Sequence, residues 1–204
     1  MNQKIEKEAK FYMRGLKKVE HDLLVLGAVC TQSTTFETNL RFDTPDRSLS
    51  AAMHVLRLRQ DTRARLTYKG PSDASSTVSA RPEYEVEISD LDTGRRILES
   101  LGYQVVTIYE KYRASYQLAD VEISLDQMPF GDFIEIEGPN EAAIQLITGK
   151  LGLTWENRSV LSYMRLFDTV KKNLGMDFRD LTFENFNTIT IKPEHLQLQF
   201  ADHD

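Results

Sequence analysis

Three charged residues near the start of the chain have types and spacing that could do chemistry. Because successive side chains of a β-strand point to opposite faces, a strand over Ile5–Phe11 would place Glu6, Glu8 and Lys10 on one face. Two carboxylates beside an ammonium group suit a bound cation with an anion next to it. Charged residues are also ordinary on solvent-exposed edge strands. The rest of the chain favours the first of these two interpretations.

A second Glu-x-Glu pair, Glu135 and Glu137, lies on one face of a later predicted strand. If that strand and the first one are close in the fold, the carboxylates of both pairs converge. Mg²⁺ and Mn²⁺ prefer such oxygen donors, and magnesium usually binds substrate phosphates as well. The 4 histidines show no ligand spacing, and the single cysteine, Cys30, excludes a thiol zinc cluster. We therefore predict Mg²⁺ or Mn²⁺ as the cofactor.

Alternating charged and apolar residues predict seven or eight strands, each with one charged and one apolar face. Basic side chains stacked on adjacent strands would repel each other unless an anion lies among them. The apolar faces can be covered by helices predicted at Arg14–Ala28, at 92–102, at 140–151 and near Ser159–Leu174. The consistent packing is an α+β fold: an eight-stranded antiparallel β-barrel, or tunnel, with a charged lumen and helices packed on the outside.

Composition limits the functional class. The chain has 204 residues, 41% hydrophobic and 27% charged residues, and a net charge of −6, so a broad basic surface for nucleic acid is not expected. No apolar run approaches the roughly 20 residues of a membrane helix, and no signal peptide is recognisable, which predicts a cytoplasmic protein without a membrane partner. We expect a tunnel domain over residues 1–174 and a tail over 175–204 without an assigned structure apart from strand-like pieces such as Thr188–Ile191. Formation of a homodimer is an alternative that the sequence leaves undecided.

Six motifs in order give the chain a family resemblance. They are Glu6–Lys10, Leu56–Arg59, Leu66–Pro71, Arg81–Glu87, Lys111–Arg113 and Gly131–Glu137. With them the chain resembles the CYTH, or triphosphate tunnel metalloenzyme, superfamily from about Ile5 to Phe167. The resemblance implies a tunnel whose basic residues bind a triphosphate while acidic residues hold a divalent metal.

The resemblance also implies roles for individual residues. The implied metal ligands are Glu6, Glu8, Glu135 and Glu137, with Asp126 as a further acidic contact. The implied substrate-binding residues are Lys10, Arg57, Arg59, Lys69, Lys111 and Arg113, together with Glu85, which with Glu87 orients the basic groups or positions water. The residues expected to be catalytic are Glu6, Glu8, Lys10, Lys69 and Lys111. Arg57 and Arg59 could also be structural ion-pair partners of Glu83 or Glu85, and we expect Tyr12 and Tyr109 to be packing residues.

The predicted activity is metal-dependent hydrolysis of a triphosphate-containing small molecule: inorganic tripolyphosphate, thiamine triphosphate or a nucleoside triphosphate. One alternative is a class IV adenylate cyclase, which would convert ATP to cyclic AMP and pyrophosphate. A second alternative is a non-catalytic module that binds polyphosphate or nucleotides. Some triphosphatases of the family place a tyrosine before the aromatic-Asp-Thr-Pro turn, and Arg41 stands at that position here.

Overall fold

The computed structural model describes residues 5–71 and 77–203, and of Ile5 and Glu6 it describes the backbone alone. The strands are β1 (Ile5–Met13), β2 (Val29–Asp43), β3 (Val55–Gln60), β4 (Ala64–Lys69), β5 (Ser79–Ile88), β6 (Gln104–Leu118), β7 (Val121–Met128), β8 (Gly131–Glu137) and β9 (Arg158–Ser159). The helices are α1 (Lys17–Val25), α2 (Ser48–Ala51), α3 (Leu91–Ser100), α4 (Glu141–Lys150), α5 (Tyr163–Leu174), α6 (Phe183–Phe186) and α7 (Pro193–Leu196). Over the described ranges, no helix is long and apolar enough to cross a membrane.

The strands β1 to β8 close into a ring. The order around the ring is β5-β4-β3-β2-β6-β7-β8-β1, and β1 pairs with β5 to complete it. Every neighbouring pair in the ring is antiparallel. The short strand β9 is added beside β1. The prediction of an α+β fold with an eight-stranded antiparallel tunnel is therefore confirmed.

The pairing of β1 with β8 brings the first and last strands of the ring together. Glu8 lies opposite Glu137, and Lys10 lies opposite Glu135. Because side chains alternate along both strands, this register places these four charged groups on the same side of the sheet, facing the lumen. The two Glu-x-Glu motifs, distant in sequence, thus meet in space.

The outer face of β1, β7 and β8 is apolar and is covered by α1 and α4. Phe11, Ile134 and Ile136 on the strands, Leu23 on α1 and Ile144 on α4 are all completely buried in one cluster. Burying such a side chain contributes about 1.5–3 kcal/mol. This packing satisfies the apolar strand faces and directs the charged faces inward.

At one end of β1 and β8 the lumen-facing residues become aromatic. Tyr12 lies two residues after Lys10, and Phe133 lies two residues before Glu135, so each shares the strand face of that charged residue. The ring centroids of Tyr12 and Phe133 lie 5.1 Å apart. Tyr163, the first residue of α5, packs against Phe133 with ring centroids 5.3 Å apart. Aromatic packing therefore fills this part of the lumen and docks α5 against the ring.

Residues 175–203 also pack against the ring. Leu181, Phe186 and Leu196 are buried in the aromatic cluster around α5. The backbone of Leu181 exchanges hydrogen bonds of 2.9 Å with Ile108 and Glu110 on β6. The segment predicted as a tail is thus an ordered part of the structure, and its status as a unit separate from residues 1–174 stays a prediction.

Several local predictions are wrong. Thr188–Ile191 is a connection between α6 and α7, and Ile189 and Ile191 pack onto the aromatic cluster without forming a strand. The helix predicted at Arg14–Ala28 is only Lys17–Val25, with Leu16 as its N-cap, and it ends before Gly27, whose φ of 83° is left-handed. The helix predicted at 92–102 with Asp92 as its N-cap is Leu91–Ser100, and its N-cap is Asp90, whose side chain accepts a 2.7 Å hydrogen bond from the Thr93 amide.

Candidate active site

A cavity of about 870 Å³ lies within the ring and is lined mainly by charged side chains. The alternation of each strand explains this lining, since the inward positions of β1 to β8 carry the clustered charges noted in the sequence. The balance of charge differs between two walls. One wall, of β1, β7 and β8, is mainly acidic, and the other, across the ring, of β2, β3, β4 and β5, carries six cationic side chains and four carboxylates and is called the basic wall. The strand β6, between β2 and β7, contributes Lys111 and Arg113.

The first wall carries a row of carboxylates, which we call the acidic row: Glu8, Glu122 and Glu137. Glu137 on β8 pairs directly with Glu8 on β1 and with Glu122 on β7. All three line the cavity. Like charges directly opposite each other on adjacent strands are destabilising. Glu122 was not selected from the sequence, although it shares a strand face with Asp126.

The donors of the acidic row fit the chemistry of Mg²⁺ or Mn²⁺, which bind carboxylate oxygens. Glu8 and Glu137 would hold the ion, with Glu122 beside them. Glu6 precedes Glu8 on the same strand face, but its side chain lies outside the described part of the structure. Among the described side chains, no three acidic, histidine or cysteine groups already converge as a metal cluster. Metal binding by Glu6, Glu8, Glu135 and Glu137 therefore stays a prediction.

Glu135 is paired with two basic residues. Its carboxylate accepts hydrogen bonds from Lys10 and from Arg113. Burial opposes ionisation of Glu135, but Lys10 and Arg113 outweigh it and hold the pKa of Glu135 well below its ordinary value. Likewise, burial would lower the pKa of Lys10, but Glu135 and Glu8 raise it. The pair therefore stays ionised at neutral pH.

Asp126 lies behind the cavity wall and is completely buried. Its carboxylate accepts hydrogen bonds from Arg113 Nε at 2.6 Å, from Lys111 Nζ at 3.2 Å and from the Tyr163 hydroxyl at 2.7 Å. These contacts make Asp126 an anchor for two of the predicted substrate-binding residues. Its role as a metal contact stays a prediction, and both of its oxygens have other partners in this structure.

Tyr163 is a site residue that the sequence did not reveal. The Nζ atom of Lys10 lies 4.2 Å from the centroid of its ring, and that of Lys111 lies 5.5 Å from it. Burial, Asp126 and Glu135 raise the pKa of Tyr163 well above its ordinary value, so its hydroxyl stays a donor. The ring therefore supports both lysine ammonium groups while the hydroxyl fixes Asp126.

The basic wall carries Arg57 and Arg59 on β3 and Lys69 on β4, as predicted, and all three line the cavity. Glu85 on β5 accepts hydrogen bonds from Arg59 at 3.0 Å and from Thr67 at 2.8 Å. Lys69 is paired with Glu83 at 3.2 Å. Glu85 thus holds Arg59 in place, and its role towards substrate stays a prediction.

Further residues of this wall were not assigned from the sequence: Glu37, Arg41, Asp61, Arg65 and Arg81. Glu37 is buried, and its carboxylate oxygens lie 3.5 Å from Lys111 Nζ and 3.6 Å from a nitrogen of Arg59. Burial would raise the pKa of Glu37, but Lys111, Arg113 and Arg59 lower it below its ordinary value. Glu37 therefore links Arg59 of the basic wall to Lys111 on β6 as a buried anion.

The structure also shows the surroundings of Tyr12, Tyr109 and Glu87, for which the sequence predicted packing or orienting roles. Tyr12 and Tyr109 both pack in the aromatic cluster, as expected, and Tyr109 also lines the cavity, where its hydroxyl accepts a 3.0 Å hydrogen bond from Arg57. Burial would raise the pKa of Tyr109, but Arg57 and Lys111 lower it. Glu87 pairs with Arg63 at 3.2 Å on the exposed surface, so it does not orient a lumen residue.

Comparison with known proteins places this arrangement in a family. The family model of the CYTH domain matches residues 4–151. A relative from Methanocaldococcus jannaschii named "Putative adenylate cyclase MJ0240" is 33% identical over 135 residues, which cover 65% of this chain and 76% of the relative.

Solved structures share the fold. A protein from Vibrio parahaemolyticus described as a putative adenylate cyclase matches with a TM-score of 0.73 and 22% identity, covering 82% of this chain and 99% of its own. A protein from Hippeastrum, described as a putative adenylyl cyclase that reveals a dominant triphosphatase activity, matches with a TM-score of 0.58 and 19% identity, covering 80% and 95%. The family-model match spans more than half of the sequence, and the chain therefore belongs to the CYTH domain family.

Proposed function

We propose that this protein is a cytoplasmic, divalent-metal-dependent phosphohydrolase that acts on a triphosphate bound in the tunnel. The observation that carries the proposal is the placement of the acidic row across the ring from a wall of arginines and lysine. An anion-binding surface alone needs no carboxylates, whereas a triphosphate that carries a metal needs both kinds of group. This distinction also favours an enzyme over a simple polyphosphate- or nucleotide-binding module.

A triphosphate resists attack because its negative charge repels nucleophiles. In the proposed reaction Lys10, Lys111 and Arg113 neutralise that charge from one side, and Arg57, Arg59 and Lys69 from the other. The guanidinium groups match phosphate oxygens with two donors each. A divalent metal at the acidic row would, when bound, add charge neutralisation and polarise the attacking water.

The buried partners of these basic groups have a positioning role. Asp126 and Glu135 fix Arg113, while Glu37 and Asp126 fix Lys111. Because the donors are held before substrate arrives, they lose little freedom when it binds. Tyr163 completes this arrangement from α5.

Adenylate cyclase activity is the second candidate, and the names of the relatives from Methanocaldococcus and Vibrio favour it. A cyclase would use the same triphosphate-binding groups but would direct a ribose hydroxyl at the innermost phosphorus. The two activities differ in products: a hydrolase releases phosphate, whereas a cyclase releases cyclic AMP and pyrophosphate.

The test is a panel of tripolyphosphate, thiamine triphosphate and ATP, each incubated with Mg²⁺, with Mn²⁺ and with EDTA. We expect phosphate release that requires metal. The Glu137→Gln variant should lose about 100-fold or more of this activity, whereas the matched control Glu87→Gln, on the exposed surface, should retain it. Cyclic AMP from ATP without phosphate release would establish the cyclase instead, and turnover unaffected by EDTA would contradict the proposed role of metal.

A further inference from the structure

One long stretch of the sequence carries no charged residue, although charged residues make up 27% of the chain. It covers residues 23–36 and is the longest such run in the sequence. Much of it lies on the surface: Leu24, Val25 and Val29 are 55%, 73% and 64% exposed. Exposed apolar groups that lie close together commonly mark a contact with another molecule. We call residues 23–36 the uncharged segment.

The second half of the uncharged segment belongs to β2, and one edge of that part of the strand has no partner. β6 pairs with one edge of β2 from Val29 to Asp43, whereas β3 pairs with the other edge only over residues 38–42. In the parts of the chain that the structure describes, no strand pairs with the β3-side edge over residues 29–37. Such an edge offers backbone N–H and C=O groups to a strand of another molecule.

The composition of this edge favours pairing with a matched strand. Natural proteins commonly protect a free edge with lysine or proline, and residues 29–36 contain neither. The unpaired edge spans roughly 30 Å. The pairing of β2 with β6 shifts its register between Cys30 and Gln32 and again between Gln32 and Thr35. Because such bulges increase the twist of a strand, a strand that pairs here must have a similar twist.

A second copy of this chain meets these requirements. Around a two-fold axis the same surface contacts itself, so that two β2 edges of equal twist lie antiparallel. A charge on such a surface would face the same charge on the other copy, and the uncharged segment avoids this repulsion. Leu24 and Val25 end α1 just before β2 begins, so the same contact would cover their exposed side chains.

We propose that the uncharged segment is the interface of a homodimer, in which the free edge of β2 pairs with the same edge of a second copy. This inference goes beyond the proposed function, because the contact needs neither substrate nor metal. The interface also borders the cavity, since Gln32 and Glu37 of the same part of β2 line it. The second copy would continue the wall of the tunnel past Gln60, where β3 ends.

The test is sedimentation velocity of the full chain over about 1–100 μM, with lysine introduced at two places in the uncharged segment. Thr34→Lys adds a charge to the exposed edge of β2, and Val25→Lys adds one at the end of α1. The matched control is Leu146→Lys, because Leu146 is a 60% exposed residue of α4, outside the segment. We expect the wild type to form a dimer. Thr34→Lys and Val25→Lys should each raise its dissociation constant about tenfold or more, because a two-fold contact contains each new charge twice.

Leu146→Lys should dimerise as the wild type does. Circular dichroism shows whether each variant is folded, and we expect native spectra because all three replaced side chains are exposed. Thr34 and Val25 belong to different elements, so a folding defect in one variant leaves the other to decide the question. A wild-type protein that is monomeric at every concentration would overturn the second copy as the occupant of this edge. A dimer that survives either substitution in a folded variant, or that Leu146→Lys weakens equally, would overturn the interface.

Discussion

The substitution Tyr163→Phe tests how α5 is tied to the ring. It removes the hydroxyl that donates to Asp126 and keeps the ring that contacts Lys10, Lys111 and Phe133. Asp126 retains its hydrogen bonds from Arg113 and Lys111, so it is not left without partners. The variant therefore isolates one buried hydrogen bond to a charged group.

A hydrogen bond to a charged group contributes about 1.5–3 kcal/mol to the free energy of unfolding. The remaining partners of Asp126 place the expected loss at the lower end, about 1.5–2 kcal/mol. For a chain of this length each kcal/mol corresponds to about 2–4 °C, so the unfolding temperature should fall by about 3–8 °C.

Tyr12→Phe is the matched control for this measurement. Tyr12 belongs to the same aromatic cluster and is 5% exposed, and its hydroxyl makes no hydrogen bond with the described residues. Removing that hydroxyl should change the free energy of unfolding by less than about 0.5 kcal/mol. Both variants are measured by urea denaturation and by thermal unfolding. If Tyr163→Phe destabilises the protein no more than Tyr12→Phe does, the hydrogen bond to Asp126 does not anchor α5.

Two further predictions concern the buried ion pairs and the C-terminal segment. The folded-state pKa of Glu135 lies below its ordinary value of 4.5, so its contribution to stability is present above pH 4.5 and is lost as the pH falls towards the folded-state pKa. The free energy of unfolding of Glu135→Gln should therefore depend less steeply on pH than that of the wild type between about pH 5 and 3. If urea denaturation gives parallel curves for the two proteins, Glu135 is not held ionised by its partners. Leu181 is completely buried between the C-terminal segment and the ring, so Leu181→Ala should lower the free energy of unfolding by about 2–5 kcal/mol. The control Leu24→Ala, at an exposed position, should lower it much less. Similar losses in both variants would mean that the C-terminal segment adds little to the stability of the ring.

The ring and its charged lumen were predictable because alternation along a strand has a direct physical meaning. One apolar and one charged face per strand, repeated many times, can be satisfied only if the apolar faces pack under helices and the charged faces meet. The meeting of Glu8 with Glu137 and of Lys10 with Glu135 follows from closing that ring.

The position of each charged side chain within the tunnel, lining the cavity or lying behind it, was not predictable in the same way. Alternation assigns a side chain to a face, but the tilt and stagger of the strands decide which charges line the cavity and which lie behind it. Glu122 and Asp126 share one face of β7, yet Glu122 lines the cavity and Asp126 lies behind it. Arg41 and Tyr109 lie on β2 and β6, and only the assembled ring shows that both line the cavity.

Contacts between separate secondary-structure elements were the hardest to predict from the sequence. Tyr163 belongs to a helix, and its approach to Lys10 and Asp126 depends on how α5 docks against the ring. The helices α6 and α7 have four residues each, too few to show a helical period in the sequence. Their place in the fold is decided by packing of Phe186 and Leu196 against the aromatic cluster.

The most direct test of the account is a crystal structure of the protein with Mn²⁺ and a non-hydrolysable imido analogue of tripolyphosphate. The account predicts an anomalous peak of Mn²⁺ at the acidic row, bound by Glu8 and Glu137, with the phosphates reaching across the ring to Arg57 and Arg59. A structure in which the analogue lies outside the ring, or in which Mn²⁺ binds away from these carboxylates, would contradict it.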